Sequence, residues 1–382
     1  MTADAPLKGL KVLELARILA GPWIGQTLAD LGAEVIKIES PEGDDTRRWG
    51  PPWISARGEE AAAYFHACNR GKRSVVLDLK TEEGREAARR LAGEADVLIE
   101  NFKRGGLEKY GLDYAALKPA NPGLVYCSIT GFGQTGPYAD RPGYDFIIQG
   151  MGGLMSVTGE ADRPPQKVGV AIADLVTGLY GVIAVQAALA QRARTGEGQQ
   201  IDLALLDCLS GVLANQAMNY FATGESPKRH GPGHANIVPY QVFETADGHL
   251  ILAVGNDGQF AKLCAVLELD LAQDERFATN PARLVHREVL VPMIEARTRA
   301  FTRDALLAAC EAAGVPAGPI NTLEDVFADP QVQARGMKIT PQGVPGLRSP
   351  LNFSGAELAL DRPSPRLGEH TEEVLAEIGL SP

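Results

Sequence analysis

The sequence predicts an α/β fold, with a large Rossmann-like domain on a parallel sheet followed by a smaller α+β domain. Short apolar runs alternate with helical patterns through the first half of the 382 residues, as parallel strands joined by crossover helices do. A Gly/Pro/His-rich stretch at 224–239 breaks the alternation; loops of that length in compact domains mark a boundary or a functional segment. A hairpin pattern and several helical runs follow it.

The first run, LKVLELA at 10–16, reads as a buried strand, Pro22 to Leu31 is helical in pattern, and EVIKIES at 34–40 is a second strand. Together they make a βαβ unit. SVVLDL at 74–79, a helix from Glu82 to Ala92, DVLIENF at 96–102 and LVYCSITGFG at 124–133 continue the alternation. Leu175 to Ala190 is apolar enough for a buried helix, ARTGEGQQIDLALLD supplies a turn and another strand, and a helical run extends to about Phe221. Past the loop, YQVFETADGHLILAVG reads as a strand pair turning at Asp247-Gly248, helices run on to about Val326, and LGEHTEEVLAEIG offers a last amphipathic helix. The expected divisions are 1–223, 224–326 and 327–382.

At 45% hydrophobic and 22% charged residues, the composition is that of an ordinary globular chain with a sizeable core. A net charge of −11 argues against nucleic acid or an anionic membrane as the main partner, since either needs a positive contact surface. The five cysteines are odd in number, far apart and without a CxxC pair, which suits free thiols in a reducing compartment. No basic region with an apolar signal core opens the chain, and Thr177, Gly178, Gly181 and Gln186 interrupt the long apolar helix, so a cytoplasmic protein is expected. The six histidines lack metal-ligand spacing, and no metal is expected.

GFGQTG at 131–136 matches the dinucleotide fingerprint and follows a predicted strand, but Pro137 and the polar residues after it do not open a helix. A nicotinamide site is therefore not expected. GxSxG, the phosphate-binding GxxxxGK[ST] and HExxH are absent, leaving serine hydrolase, nucleotide triphosphatase and zinc protease readings without an anchor. Asp174, at the head of the long apolar helix, reads either as a helix cap or as a nucleophile favoured by the helix dipole.

Ala-Gly-Pro at 20–22, EVIKIESP, NRGKRS at 69–74, ENF at 100–102, GFGQTGP, GYD at 143–145 and ADLVTG around Asp174, with RTGEGQQID, IVPYQVF, GVPAGPIN, VFADPQVQARGM and LGEHT further on, resemble the family III CoA-transferases (CaiB/BaiF type), in order and over the whole chain. The resemblance implies an interlocked, ring-shaped homodimer whose subunits each build the large domain from both chain ends, with the smaller domain inserted. It places the aspartate nucleophile on Asp174, which at an ordinary pKa of about 4 would be ionised at neutral pH. Coenzyme A, carried as an acyl-CoA substrate, would meet Ile18, Leu19, Ala20, Lys72, Arg73, Asn101, Phe102, Lys109 and Tyr110. The loop residues Gly233, His234, Ala235 and Asn236 would supply oxyanion donors, and Arg17 would pair with a distal carboxylate. The racemase branch pairs the aspartate with a histidine where this chain has Tyr144, a poor base with an ordinary pKa near 10. ELARILAGPW, HGPGHANIVPYQ and GNDGQF are most similar to the branch that moves CoA between dicarboxylic acids such as succinate and glutarate. A CoA-binding scaffold without turnover is the remaining alternative, and Asp174 within its full motif argues against it.

Overall fold

The structure is a computed structural model and describes residues 4–381. The chain folds into two compact units: the first takes the chain up to Leu154, Val168–Leu213 and the stretch from Pro330 onward, and the second takes Met155–Lys167 and Ala214–Asp329.

The first unit begins with β1 (Lys11–Glu14), α1 (Ala20–Asp30) and β2 (Glu34–Glu39), then a small hairpin of β3 (Trp53–Ala56) and β4 (Glu59–Ala62) leading into α2 (Ala63–His66). It continues through β5 (Arg73–Val76), α3 (Glu82–Glu94), β6 (Val97–Glu100), α4 (Tyr114–Leu117), β7 (Val125–Thr130), α5 (Asp145–Met151), α6 (Ile172–Thr195), β8 (Gln200–Ala204) and α7 (Leu205–Gly211). Six strands form one parallel sheet in the order β5-β2-β1-β6-β7-β8. The order reverses between β1 and β6, where open α/β sheets leave a ligand crevice at the strands' carboxyl ends.

Alternation along the strands feeds two cores. Val12, Val97, Val125 and Cys127 face one side with Ile24, Leu28 and Val185; Leu13, Leu98 and Tyr126 face the other with Leu91, Val374 and Leu375. Both faces of a parallel sheet are thus covered, as its unbroken apolar strands require.

The hairpin was not expected from the sequence. Its turn is Arg57-Gly58, with φ of 56° and 80°, so it has the left-handed turn geometry without the Asn-Gly or Asp-Gly pair that announces it.

The second unit holds α8 (Ala214–Thr223), the antiparallel sheet of β9 (Tyr240–Thr245), β10 (Gly248–Ala253) and β11 (Ala317–Pro319), and the helices α9 (Asp257–Val266), α10 (Asn280–Val285), α11 (Arg287–Thr298), α12 (Arg303–Ala313) and α13 (Leu323–Ala328). Its core gathers Phe243, Leu250, Leu252, Phe260, Leu263, Ile294 and Leu306. The division falls at Ala214, ahead of the Gly/Pro-rich loop where the composition shifts. From Pro330 the chain belongs again to the first unit, with α14 (Pro330–Ala334), β12 (Lys338–Ile339), β13 (Gly346–Leu347) and α15 (Thr371–Glu377). α15 is tied to β5: the His370 N–H donates to Ser74 O at 2.9 Å, and the Val76 N–H donates to Thr371 Oγ1 at 3.0 Å.

Candidate active site

Small residues bring α6 onto α1. A Cβ at Gly178 would lie 2.9 Å from Trp23 Cδ1, and one at Gly181 only 2.2 Å from Ile24 Cδ1. That close packing puts the first turn of α6 beside the turn between β1 and α1. In this turn Ile18 has φ of 72°, a left-handed conformation that a β-branched side chain disfavours. Its neighbours hold it there. Asn101 accepts the Arg17 N–H at 2.8 Å through Oδ1 and donates to Arg17 O at 2.7 Å through Nδ2. Cys68 Sγ donates to Ile18 O at 3.4 Å.

Beneath the turn lies a buried ion cluster. Lys37 Nζ is 3.0 Å from both Glu14 Oε1 and Asp44 Oδ2, and Lys72 Nζ is 2.8 Å from Glu14 Oε2; all four side chains are fully enclosed. A Cβ at Gly25 would fall 1.8 Å from Glu14 Oε2, so only glycine leaves α1 room for this carboxylate. Burial opposes both charges, yet Glu14 and Asp44 outweigh it and hold the Lys37 pKa above its usual value, while Lys37 and Thr46 bring Asp44 down to about 2.

A cavity of about 420 Å³ opens at the carboxyl ends of β1, β6 and β7. It brings together Arg17, Ile18, Leu19, Ala20, Asn101, Phe102, Tyr144 and Asp174. A second cavity, of about 230 Å³, shares Arg17 and Phe102 with it and adds Ser40, Lys80 and Tyr110. Arg17 lines both, with Nη1 2.9 Å from Asp45 Oδ2. Lys109 Nζ sits 4.7 Å from the centre of the Tyr110 ring.

Asp174 is the third residue of α6, behind Ala171 at the cap position, so the cap reading of its side chain does not hold. Nor is its titration ordinary. Burial, reinforced by Asp145, pushes its pKa up to about 7, overriding the pull of the helix N-terminus toward the ionised form. Asp145 escaped the sequence reading, which weighed only Tyr144 in GYD. Lys80 was missed too; the visible signal was its place just past a strand's carboxyl end.

Lys72 and Arg73 require correction as CoA contacts. Both precede or open β5, at the amino end of the strand, whereas the cavities lie at the carboxyl ends. Lys72 directs Nζ to Glu14, Pro22 O and Asn69 Oδ1, and Arg73 is paired with Glu34, Glu373 and Glu377. Neither side chain is open to a phosphate.

Gly233, His234, Ala235 and Asn236 belong to the second unit. There the Asn236 N–H donates to His234 Nδ1 at 3.0 Å, and Arg287 Nη2 donates to His234 O at 2.6 Å. The end of the loop is fixed by Arg283, a fully buried side chain that donates to Val238 O and Phe277 O and pairs with Asp257 at 2.7 Å.

Comparison with known proteins bears on this geometry. Residues 7–371 match the model of CoA-transferase family III. The chain is 59% identical to the succinate–glutarate CoA-transferase of Agrobacterium fabrum, covering 98% of this chain and 96% of that one. It is 41% identical to the succinyl-CoA:glutarate CoA-transferase of Mus musculus, covering 98% and 86%. A CAIB/BAIF family protein from Brucella suis, solved by crystallography, superposes with a TM-score of 0.90 at 67% identity, covering 98% of this chain and all of the other.

Proposed function

Because this chain belongs to CoA-transferase family III, we propose that it moves CoA from succinyl-CoA to a dicarboxylic acid such as glutarate, with Asp174 as the covalent nucleophile. The observation behind this reading is the carboxylate of Asp174, set in the first turn of α6 and facing the cavity at the strands' carboxyl ends. The thiols offer no rival: all five cysteines are buried, and burial pushes Cys68 and Cys127 up to about 12.

Asp174 attacks the thioester carbonyl, the C–S bond breaks, and CoA thiolate leaves a succinyl–aspartyl anhydride. The thiolate then attacks the aspartyl carbonyl, releasing succinate and forming an aspartyl-CoA thioester. Glutarate attacks that thioester, and the thiolate set free takes the glutaryl group, returning Asp174 as a carboxylate. Each step is an acyl transfer that needs the nucleophile ionised and water excluded. The two cavities sharing Arg17 and Phe102 are proposed to take the acyl end and the remainder of CoA, with Lys80 and Lys109 as phosphate partners and Arg17 meeting the distal carboxylate.

Phe146, Ile147, Leu179 and Ile183 on α5 and α6 are exposed, an apolar surface that supports the expected interlocked homodimer; light scattering should read twice the mass of a 40.7 kDa chain. Buried free thiols fit a reducing, cytoplasmic setting.

The test of the nucleophile is brief incubation with succinyl-CoA followed by hydroxylamine, which should convert Asp174 to a hydroxamate found on its peptide. Asp174→Ala should stay folded and lose turnover by about 10³-fold or more. Modification of a cysteine peptide, or near-normal turnover in a folded Asp174→Ala, overturns the reading.

A further inference from the structure

Helix α6 starts without a cap of its own, since Ala171 carries no side-chain acceptor. Its leading N–H groups are met from another helix. Asp145, the first residue of α5, accepts the Ala173 N–H at 2.7 Å and the Asp174 N–H at 3.3 Å through Oδ1. Its Oδ2 accepts from Gln149 Nε2 at 2.7 Å, and the fully buried Gln149 in turn accepts the Val168 N–H at 2.9 Å. One carboxylate thus braces both the approach to α6 and the peptide of its third residue.

We propose that Asp145 is the positioning residue of the transfer reaction: it caps α6 from outside the helix, fixes the backbone of Asp174, and sets a second negative charge against the nucleophile that acylation then neutralises. The proposal rests on Asp174 being the nucleophile. A neutral Ser or Thr would satisfy the same N–H groups, so the use of a carboxylate calls for a reason beyond capping. Two carboxylates close together resist joint ionisation. When Asp174 attacks a thioester its charge passes to the leaving thiolate and the aspartyl group becomes neutral, which removes the repulsion with Asp145. The ionised, unacylated state is thereby raised in energy relative to the acyl-enzyme.

Other charged and titratable groups surround the cavity. Tyr64 of α2 senses Asp174; Arg17 lies in the first turn, Lys103 and Arg104 follow β6, and Asp140 and Arg141 precede α5. Asp145, and none of these, is the charge that joins burial in shifting Asp174.

The experiment is single-turnover acylation by succinyl-CoA as a function of pH, with the Asp174 carboxyl titrated in parallel by NMR of ¹³Cγ-labelled aspartate. In Asp145→Asn the acidic limb should move down by about one pH unit or more, with the Asp174 resonance following it, and the plateau rate should fall. The new amide nitrogen would face Gln149 Nε2, so Asp145→Ser, which keeps a hydroxyl acceptor, serves as the second variant and should shift the limb in the same direction. A limb and resonance unmoved in both folded variants, with rates lowered equally at every pH, would leave Asp145 a purely structural cap and overturn the proposal. Asp174→Ala separates the two readings: if it retains acylation, the nucleophile assignment fails whatever Asp145 does.

Discussion

Two groups of charge in the same unit, one fully enclosed and one half-buried, are arranged in opposite ways. Under the first βα turn, Glu14, Asp44, Lys37 and Lys72 are fully enclosed and every charge has a counter-charge within 3.0 Å. At the head of α6, Asp145 and Asp174 are two acids side by side, and burial and like charge together hold Asp174 near 7. The first arrangement fixes the shape of the turn. The second stores an electrostatic cost that a reaction can release.

Removing one partner from the paired cluster should be the most damaging change to stability. Lys37→Met leaves Asp44 buried without a counter-charge and Glu14 with Lys72 alone, and a loss of about 3–5 kcal/mol is expected, read as a large drop in melting temperature. A variant as stable as wild type would show that solvent reaches the cluster. In the unpaired region the sign reverses. The raised pKa of Asp174 means that the folded state binds more protons than the unfolded one from about pH 4 to about 7, so stability declines as pH rises through that window. Asp174→Asn removes this decline, and its stability relative to wild type should grow by about 2.5 kcal/mol between pH 5 and pH 8. Wild-type acylation should rise over the same range as the attacking carboxylate forms. A stability difference flat with pH would dissolve the contrast. Smallest is the exposed pair Arg17–Asp45. Arg17→Ala should change stability by less than about 1 kcal/mol, while kcat/KM for glutarate falls about tenfold relative to butyrate. Equal losses for both acids would remove Arg17 from substrate selection.

The parallel sheet was legible because its strands, buried on both faces, form apolar runs separated by helical patterns. Asp174 was legible as a carboxylate opening an apolar helix, and the cavity gathers half of the residues named for the site. What escaped depends on direction and on distant partners. NRGKRS at 69–74 shows a cluster of cations but not that Arg70 turns to Asp30, Lys72 to Glu14 and Arg73 to Glu34 and Glu377. Counter-charges lying tens to hundreds of residues away leave no local trace. Asp145 was overlooked for a related reason: in GYD the residue compared was Tyr144, and only the fold reveals that a helix starting 27 residues later borrows its cap from the neighbouring aspartate.

Asn101 shows how such long-range placement changes the meaning of a kinetic defect. Its side-chain amide uses one donor and its acceptor on the peptide of Arg17 and so holds the turn that carries Ile18 through its left-handed bend. A substitution at 101 would shift the backbone that lines the cavity, and the enzyme would register this as a raised KM for the thioester. The number would look like a lost contact with the substrate while reporting a lost contact within the chain. Only a comparison of Asn101→Ala with Asn101→Asp, which keeps the acceptor for the Arg17 N–H and gives up the donor, would tell an experimenter which of the two had been measured.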